Sequence, residues 1–242
     1  MADPELSGRV ALVTGASGGI GSAISRALVR AGAMVALGYG RHGERAERLA
    51  AELGGGAAAF GADLEQPEAP ARLIAEVGER LGPVELLVVN HGLGQPAAWD
   101  ELDVEGFDRT LAINLRAPFL LAQAAIPGML ERGYGRVLFI GSLAAFRGGV
   151  VGPDYAASKA GLHGMAHFLA SRVAAGGVTV NVIAPGFVET EMLPGDPAEL
   201  GKTMPIGRVG RPEEVAQLAL AVLGNAFITS KVFPIDGGAY PH

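Results

Sequence analysis

The 242-residue chain contains no cysteine, which excludes disulfide bonds, cysteine–zinc sites, iron–sulfur clusters and thiol catalysis. Positive charge is not in excess: 19 Lys and Arg stand against 25 Asp and Glu, for a formal net charge of −6. No basic stripe is visible, so we expect no nucleic-acid partner. The absence of cysteine suits a reducing compartment, and we expect a cytoplasmic protein. We also expect no metal site.

Long apolar runs are missing as well. The longest, residues 117–130, is interrupted by Gln123, Pro127 and Gly128, and it falls short of the roughly 20 residues that span a bilayer. The first five residues are acidic in character and lack the basic-then-apolar order of a signal peptide. We therefore expect no membrane partner and interpret residues 117–130 as a buried helix.

Short runs of β-branched and other apolar residues alternate with helical segments along the chain. We predict strands at residues 9–14, 34–39, 57–60, 85–89, 136–141, 178–184 and 231–235, and helices at 19–31, 44–53, 67–81, 154–175, 212–223 and, as a pair, between 100 and 131. Several strand runs are apolar at successive positions, which is the pattern of strands covered on both faces. We predict one α/β domain over residues 1–242, a doubly wound Rossmann-type sheet of about seven parallel strands with helices on both faces.

A glycine-rich turn joins the first predicted strand to the first helix. It reads Thr-Gly-Ala-Ser-Gly-Gly-Ile-Gly over residues 14–21. Glycines allow close approach of the backbone to a ligand, and the helix N-terminus offers free N–H groups to a pyrophosphate. The spacing matches neither G-x-G-x-x-G nor a P-loop with its Lys-Ser/Thr pair. The turn indicates a dinucleotide site; a glycine-rich connection without a ligand is the alternative.

Three residues with acid–base chemistry follow the fifth predicted strand. Ser142 stands at its carboxyl end, where open α/β sheets bind ligands, and its hydroxyl can donate to a carbonyl oxygen that is becoming an alkoxide. Tyr155 and Lys159 are four residues apart on a predicted helix, so they share one face. An ammonium about 5 Å away favours the phenolate by roughly 3 kcal/mol. We predict that Lys159 lowers the pKa of Tyr155 by about 2 units. Taken singly, a Tyr and a Lys at this spacing are usually a surface pair, and an ordinary turn residue at the strand end is the alternative for Ser142.

As a set, these motifs resemble the short-chain dehydrogenase/reductase family over about residues 6–239. The matching segments are the turn at 14–21, Asp63-Leu64, Asn90-His91-Gly92, Ile113-Asn114-Leu115, Ser142, Tyr155 with Lys159, Pro185-Gly186 and Asp236-Gly237-Gly238. Residues 181–192 and 210–216 are most similar to the 3-oxoacyl-acyl-carrier-protein reductase subgroup. The resemblance implies an oxidoreductase that uses a nicotinamide cofactor.

The resemblance implies a role for each matching residue. Tyr155 would be the general acid in carbonyl reduction, Lys159 would lower its pKa and hold the nicotinamide ribose, and Ser142 would orient the carbonyl. Asn114 would organise a water chain behind Lys159. The implied cofactor contacts, besides Tyr155 and Lys159, are Gly15, Ser17, Gly18, Gly19, Ile20 and Gly21 in the turn, Asp63 at adenine with Leu64 beside it, Asn90 and Gly92 on the adenosine ribose side, Pro185 and Gly186, and the Val188 backbone and Thr190 at the carboxamide.

In this family the end of the second strand decides between the two cofactors, because an acidic residue there binds the ribose hydroxyls and repels a 2′-phosphate. Tyr39 stands in that place, and Arg41 follows two residues on. A guanidinium can bind a phosphate in bidentate fashion, so we predict NADP(H). Gly18 argues against this, since many NADP-preferring members carry Arg or Lys there. A solvated Arg41 paired with Glu44 and Glu47 is the alternative.

Other departures from the family pattern concern packing, the lid and assembly. His91 replaces a small residue, and we interpret it as a packing variant rather than a catalyst. The segment between Met192 and Pro205 is short, which predicts a small substrate lid. Similar proteins are mostly homotetramers, and small residues along the helix from Asp154 fit close packing between subunits. A buried helix in a monomer is the alternative.

The resemblance leaves the substrate open. The subgroup's two basic positions for acyl carrier protein fall at Gly133 and Gly176, and an acidic chain repels an acidic carrier. Arg132, Arg136 and Arg172 remain as a weaker basic patch. We predict NADPH-dependent reduction of a free ketone or a coenzyme A thioester, with a carrier-bound substrate doubtful. The alternatives are oxidation of a secondary alcohol and, in another class, a non-catalytic NADP(H)-binding sensor.

Overall fold

The computed structural model describes residues 6–96 and 98–240. Its strands are β1 (Val10–Thr14), β2 (Met34–Tyr39), β3 (Ala57–Gly61), β4 (Leu86–Val89), β5 (Gly135–Ile140), β6 (Val178–Pro185) and β7 (Val232–Ile235). They form one sheet in the order β3-β2-β1-β4-β5-β6-β7, and every neighbouring pair is parallel. The predicted seven-stranded, doubly wound α/β fold is confirmed.

Helices connect the strands. They are α1 (Gly19–Arg30), α2 (Gly43–Leu53), α3 (Ala69–Arg80), α4 (Val104–Leu111), α5 (Ala117–Glu131), α6 (Ala144–Arg147), α7 (Pro153–Val173), α8 (Pro197–Lys202) and α9 (Pro212–Leu223). A π-helical turn, Ala112–Arg116, joins α4 to α5. In the described part of the chain, no helix combines the length and apolar character needed to cross a membrane.

The sheet separates two hydrophobic cores. Side chains alternate across a pleated strand, so Ala11 and Val13 of β1 pack with α1, α2 and α9, whereas Val10 and Leu12 pack with α3, α5 and α7. Burying such a side chain is worth about 1.5–3 kcal/mol. Because a slip of one residue would move every side chain to the opposite core, the two cores fix the register and hold the strand ends in place.

The chain reverses its direction of winding at the centre of the sheet. Strands β2 and β3 extend to one side of β1, and β4 then begins the other side. Ligands of open α/β sheets bind outside the carboxyl ends of the strands at such a point. The glycine-rich turn follows β1 and Asn90 follows β4, so both stand at this position.

Two short helices and the π turn differ from the sequence prediction. Helix α6 has four residues and α8 has six, both too short to show an apolar period. Helix α8 lies in the segment predicted as a small lid. The π turn falls inside the region predicted as a pair of helices, and it contains the buried Asn114.

Candidate active site

The glycine-rich turn is built so that side chains cannot fill it. Gly15 has φ +63°, and a Cβ atom there would lie 2.9 Å from the Cα of His91. At Gly21 a Cβ atom would lie 2.2 Å from the Gly15 carbonyl oxygen. Gly18 is the N-cap of α1 and supplies no side-chain cap. The first N–H groups of α1 therefore have no side-chain cap and suit an anion.

Tyr155 and Ser142 meet where β5 ends and α7 begins. Their hydroxyls are hydrogen-bonded, which lowers the pKa of Tyr155, but burial outweighs this and leaves that pKa above its ordinary value. Ser142 Oγ also accepts from the Ala144 N–H at 3.1 Å. Turn α6 thus holds the serine in place.

Lys159 stands one helical turn after Tyr155 and is buried, with 4% of its surface exposed. Its ammonium donates to the Ile140 carbonyl at 3.0 Å and lies 5.8 Å from the centre of the Tyr155 ring. Burial lowers the pKa of Lys159 to about 8. The predicted proximity is present, but the predicted lowering of the Tyr155 pKa by Lys159 is wrong for this arrangement, because burial of the hydroxyl dominates.

Asn114 is held inside the π turn by a nearly complete set of hydrogen bonds. Its Oδ1 accepts from the Leu93 N–H at 2.7 Å, and its Nδ2 donates to the Leu93 carbonyl at 2.8 Å and to Ser158 Oγ at 3.2 Å. A Cβ atom on Gly92 would lie 3.3 Å from Lys159 Nζ and 3.4 Å from Asn114 Oδ1. The structure therefore brings Asn114 and Lys159 together around the backbone of Gly92.

Two loops close over this cluster. A Cβ atom on Gly94 would lie 3.2 Å from the Tyr155 ring and 3.1 Å from Met192 Cε. Thr190 reaches the glycine turn, since its Cγ2 would be 2.7 Å from a Cβ atom on Gly19. Gly94 was not predicted as a site residue, because it belongs to no motif. Met192 was recognised only as the end of the segment 181–192 and not as a residue near Tyr155.

The other residues matched to cofactor contacts line the same edge of the sheet. Asp63 and Leu64 follow β3, and the Asp63 carboxylate accepts from the Glu65 N–H at 3.2 Å. Pro185 ends β6. Gly186 packs closely against Asp236, since a Cβ atom added to Gly186 would lie 3.0 Å from the Asp236 Cα atom. The described ranges contain no group of three or more His, Asp or Glu residues placed to hold a metal ion.

Asn90 and Val188 both connect neighbouring backbone segments in this structure. The Asn90 amide donates to the carbonyls of Thr14 and Gly15 at 3.2 and 3.0 Å. Val188 is buried and pairs with Gly210. Asn90 therefore joins the ends of β1 and β4, and its part in binding a ribose stays a prediction.

An arginine cluster stands where β2 ends. Arg41, Arg45 and Arg48 line a surface cup of about 220 Å³ together with His42 and Glu44. Of the three, only Arg41 was predicted from the sequence. Arg41 lies before α2, and Arg45 and Arg48 are three residues apart on one face of that helix. Arg45 also forms an ion pair of 2.5 Å with Glu191, which joins the arginine cluster to the loop after β6.

The prediction that Arg132, Arg136 and Arg172 form a weaker basic patch for a carrier protein is partly wrong. Arg136 is 3% exposed, and its guanidinium donates to the Leu223 carbonyl at 3.1 Å and the Gly135 carbonyl at 3.0 Å. It is a buried structural residue. Gly133 and Gly176 precede β5 and β6, so they lie at the edge of the sheet opposite Ser142.

Comparison with known proteins identifies the family of the chain. A family profile described as short chain dehydrogenase matches residues 9–200. An acetoacetyl-CoA reductase of Rhizobium meliloti is 37% identical, over 96% of this chain and 98% of its own. A 3-oxoacyl-acyl-carrier-protein reductase of Pseudomonas aeruginosa is also 37% identical, over 97% of this chain and 98% of its own.

Solved structures show the same fold. A short-chain dehydrogenase/reductase of Serratia marcescens has a TM-score of 0.90 and 36% identity, over 97% of this chain and 99% of its own. A 3-ketoacyl-(acyl-carrier-protein) reductase of Brucella melitensis, complexed with NADH, has a TM-score of 0.90 and 29% identity over the same shares. The chain therefore belongs to the short-chain dehydrogenase family of oxidoreductases.

Proposed function

We propose that the protein reduces the ketone of a 3-oxoacyl thioester, or a similar carbonyl, to an alcohol with NADPH. The convergence of Ser142, Tyr155, Lys159 and Asn114 at one end of the sheet carries this proposal. Support also comes from the acetoacetyl-CoA and 3-oxoacyl-acyl-carrier-protein reductases to which the chain is similar.

The residues around the glycine turn fit a dinucleotide. Added Cβ atoms at Gly15 and Gly21 would collide with the backbone of His91 and of the turn itself, so these glycines keep the turn compact beside the surface at the N-terminus of α1. The uncapped N-terminus of α1 suits a pyrophosphate. Gly18, Gly19 and Thr190 border that surface. The nicotinamide supplies a hydride when the cofactor is bound.

The chain's own residues supply the proton and the orientation. Tyr155 is the proton donor to the carbonyl oxygen, and its raised pKa keeps it protonated before reaction. Ser142 is placed to donate a hydrogen bond to the same oxygen as negative charge develops there. Lys159 has a pKa of about 8, so it is cationic at neutral pH and stabilises the phenolate that remains. Asn114 fixes the backbone against which Lys159 packs.

The arginine cluster supports NADPH over NADH. Tyr39 occupies the place where an acid would repel a 2′-phosphate, and its ring packs against Gly43 and Gly61. Arg41 and Arg48 are exposed in the cup, where a phosphate would gain charge-assisted hydrogen bonds. Glu44 in the same cup is exposed and leaves the local charge positive.

Assembly into a homotetramer belongs to the same proposal. Phe119 on α5 and Phe168 on α7 are 40% and 60% exposed. Large apolar side chains exposed on neighbouring helices suit a subunit interface. The small residues on α7, such as Ala156 and Gly164, permit close approach of a second helix.

The test is reduction of ketones by purified protein. Acetoacetyl-coenzyme A and simple ketones are mixed with NADPH or NADH, and the nicotinamide absorbance is followed. Arg41→Ala should weaken NADPH binding by about 1.5–3 kcal/mol, the worth of a hydrogen bond to a charged group, and leave NADH binding unchanged. Arg72→Ala, an exposed arginine on α3, is the matched control.

Two results would contradict the proposal. Binding of the cofactor without its oxidation by any ketone would leave a non-catalytic NADP(H)-binding protein. An equal loss of NADPH and NADH affinity in Arg41→Ala would show that Arg41 does not contact the 2′-phosphate.

A further inference from the structure

Both ring nitrogens of His91 are hydrogen-bonded across three separate parts of the fold. The residue follows β4 and is partly buried. Its Nδ1 lies 2.7 Å from Thr14 Oγ1 at the end of β1. Its Nε2 lies 3.0 Å from the Ile113 carbonyl in the π turn. The ring thus spans from the glycine turn to the segment that carries Asn114.

The partners determine the protonation of the ring. A carbonyl only accepts, so Nε2 of His91 carries a proton and donates to Ile113. Thr14 Oγ1 already accepts from the N–H groups of Asn90 at 3.1 Å and His91 at 3.4 Å. The threonine hydroxyl therefore donates to Nδ1, and the ring is neutral. Burial and the Lys159 charge lower the pKa of His91 to about 4, which favours the same form.

The residues that follow Ile113 and His91 in the chain belong to the active site. Ile113 directly precedes Asn114, and His91 directly precedes Gly92, whose backbone packs against Lys159 and Asn114. In the π turn the Ala117 N–H donates to the Ala112 carbonyl. Pro118, five residues after Ile113, has no N–H, so the Ile113 carbonyl takes its donor from outside the turn. The His91 Nε2–H group is such a donor.

We propose that His91 is a positioning residue for proton transfer, holding the Ile113–Asn114 turn so that Asn114 and Lys159 keep their places behind Tyr155. This inference rests on the proposed function. It differs from the packing role predicted from the sequence, because it requires a specific hydrogen bond from Nε2 and not only the volume of the ring.

Three substitutions separate the bond from the volume. His91→Ala removes both hydrogen bonds. In His91→Gln the amide nitrogen takes the place of Nε2 and can still donate to Ile113, whereas in His91→Asn the shorter amide reaches only the position of Nδ1. We expect kcat to fall about tenfold in His91→Ala and His91→Asn, which equals about 1.4 kcal/mol in activation free energy. We expect His91→Gln to stay within about threefold of wild type.

The KM for NADPH gives the second readout. In His91→Ala and His91→Asn, KM for NADPH should rise by much less than the tenfold fall in kcat, since a positioning loss acts mainly on the chemical step. Equal kcat in His91→Gln and His91→Asn would overturn the proposal. So would a loss of kcat matched by an equal loss of cofactor affinity, because both results describe simple packing.

Amide hydrogen exchange tests the inference without any turnover. The Leu93 N–H donates to Asn114 Oδ1 at 2.7 Å, so release of the π turn should speed its exchange about tenfold in His91→Ala and His91→Asn. His91→Gln should exchange at the wild-type rate. Unchanged exchange in His91→Ala would overturn the inference. A wild-type protein that reduces no ketone, yet shows the expected exchange pattern, would overturn the proposed function alone.

Discussion

Replacing Lys159 with methionine should stabilise the cofactor-free protein at neutral pH while removing its activity. Lys159 is 4% exposed, and burial lowers its pKa from 10.5 to about 8. The gap between those values corresponds to about 3 kcal/mol for holding the ammonium inside the folded chain. Methionine is uncharged and of similar length. It loses the bond to the Ile140 carbonyl, which offsets about 1 kcal/mol, so we expect a net gain of about 2 kcal/mol at pH 7.

The pH dependence of this gain has a definite sign. Between pH 8 and 10.5 the folded chain keeps the amine neutral while the unfolded chain keeps it charged. Unfolding then takes up a proton, and the free energy of unfolding of the wild type rises with pH. The methionine variant lacks this rise. Its advantage should therefore shrink by about 2 kcal/mol between pH 7 and pH 9.5.

Urea unfolding followed by far-ultraviolet circular dichroism measures both quantities, at one protein concentration and without nicotinamide cofactor. Lys202→Met is the matched control, since Lys202 is 70% exposed on α8, and its difference from wild type should not vary with pH. An advantage of Lys159→Met that is equal at pH 7 and pH 9.5 would refute the reasoning, because it would show that Lys159 is not a buried cation.

Three further predictions test the site and the assembly. Tyr155→Phe should abolish reduction and leave NADPH affinity near normal, since only the proton donor is lost; most of the turnover surviving would disprove the mechanism, and Tyr134→Phe at the opposite edge of the sheet is the control. Gly21→Ala should lower the melting temperature and cofactor affinity, because its Cβ would lie 2.2 Å from the Gly15 carbonyl oxygen and such overpacking costs about 1–3 kcal/mol; an unchanged affinity would contradict the role of the turn. Light scattering should give a mass about four times 24.7 kDa for a closed tetramer, and a monomer mass would exclude it.

A fourth prediction concerns the carrier preference, measured as kcat/KM for one 3-oxoacyl group on coenzyme A and on acyl carrier protein at low salt. We expect the coenzyme A thioester to be the better substrate, because Gly133 and Gly176 carry no charge and Arg136 is buried. A carrier preference of about a hundredfold, or about 2.7 kcal/mol, that disappears at high salt would reverse this expectation.

The sheet was predictable because its central strands β1, β4, β5 and β6 are buried on both faces. A continuous apolar run such as Val-Ala-Leu-Val in β1 is typical of a parallel strand covered on both faces. The helix α8 shows where this signal stops: Asp196 caps it by accepting from the N–H groups of Ala198 and Glu199, but six residues are too few to show an apolar period. The helix was therefore not predicted from the sequence.

The catalytic motif was predictable as a set of neighbours but not as a set of bonds. The spacing of Tyr155 and Lys159 places them on one helix face, as observed. The acceptor of the Lys159 ammonium is the Ile140 carbonyl, which another element brings to the site. The same holds for the pair Arg45–Glu191 and for the contacts of His91, since no local pattern records which distant segment a side chain meets.

The central position of β1 has a consequence for how the chain folds. Ala11 pairs with Val35 on one side and with the much more distant Leu86 on the other. Long-range parallel pairings form slowly, because loop-closure entropy is spent before the contact is gained. During synthesis at about 5–20 residues per second, one edge of β1 stays open until β4 emerges, and an unpaired apolar edge invites pairing with another chain. Asn90, which follows β4, then bonds the carbonyls of Thr14 and Gly15, so the glycine turn takes its final shape in the same event that protects the nascent sheet.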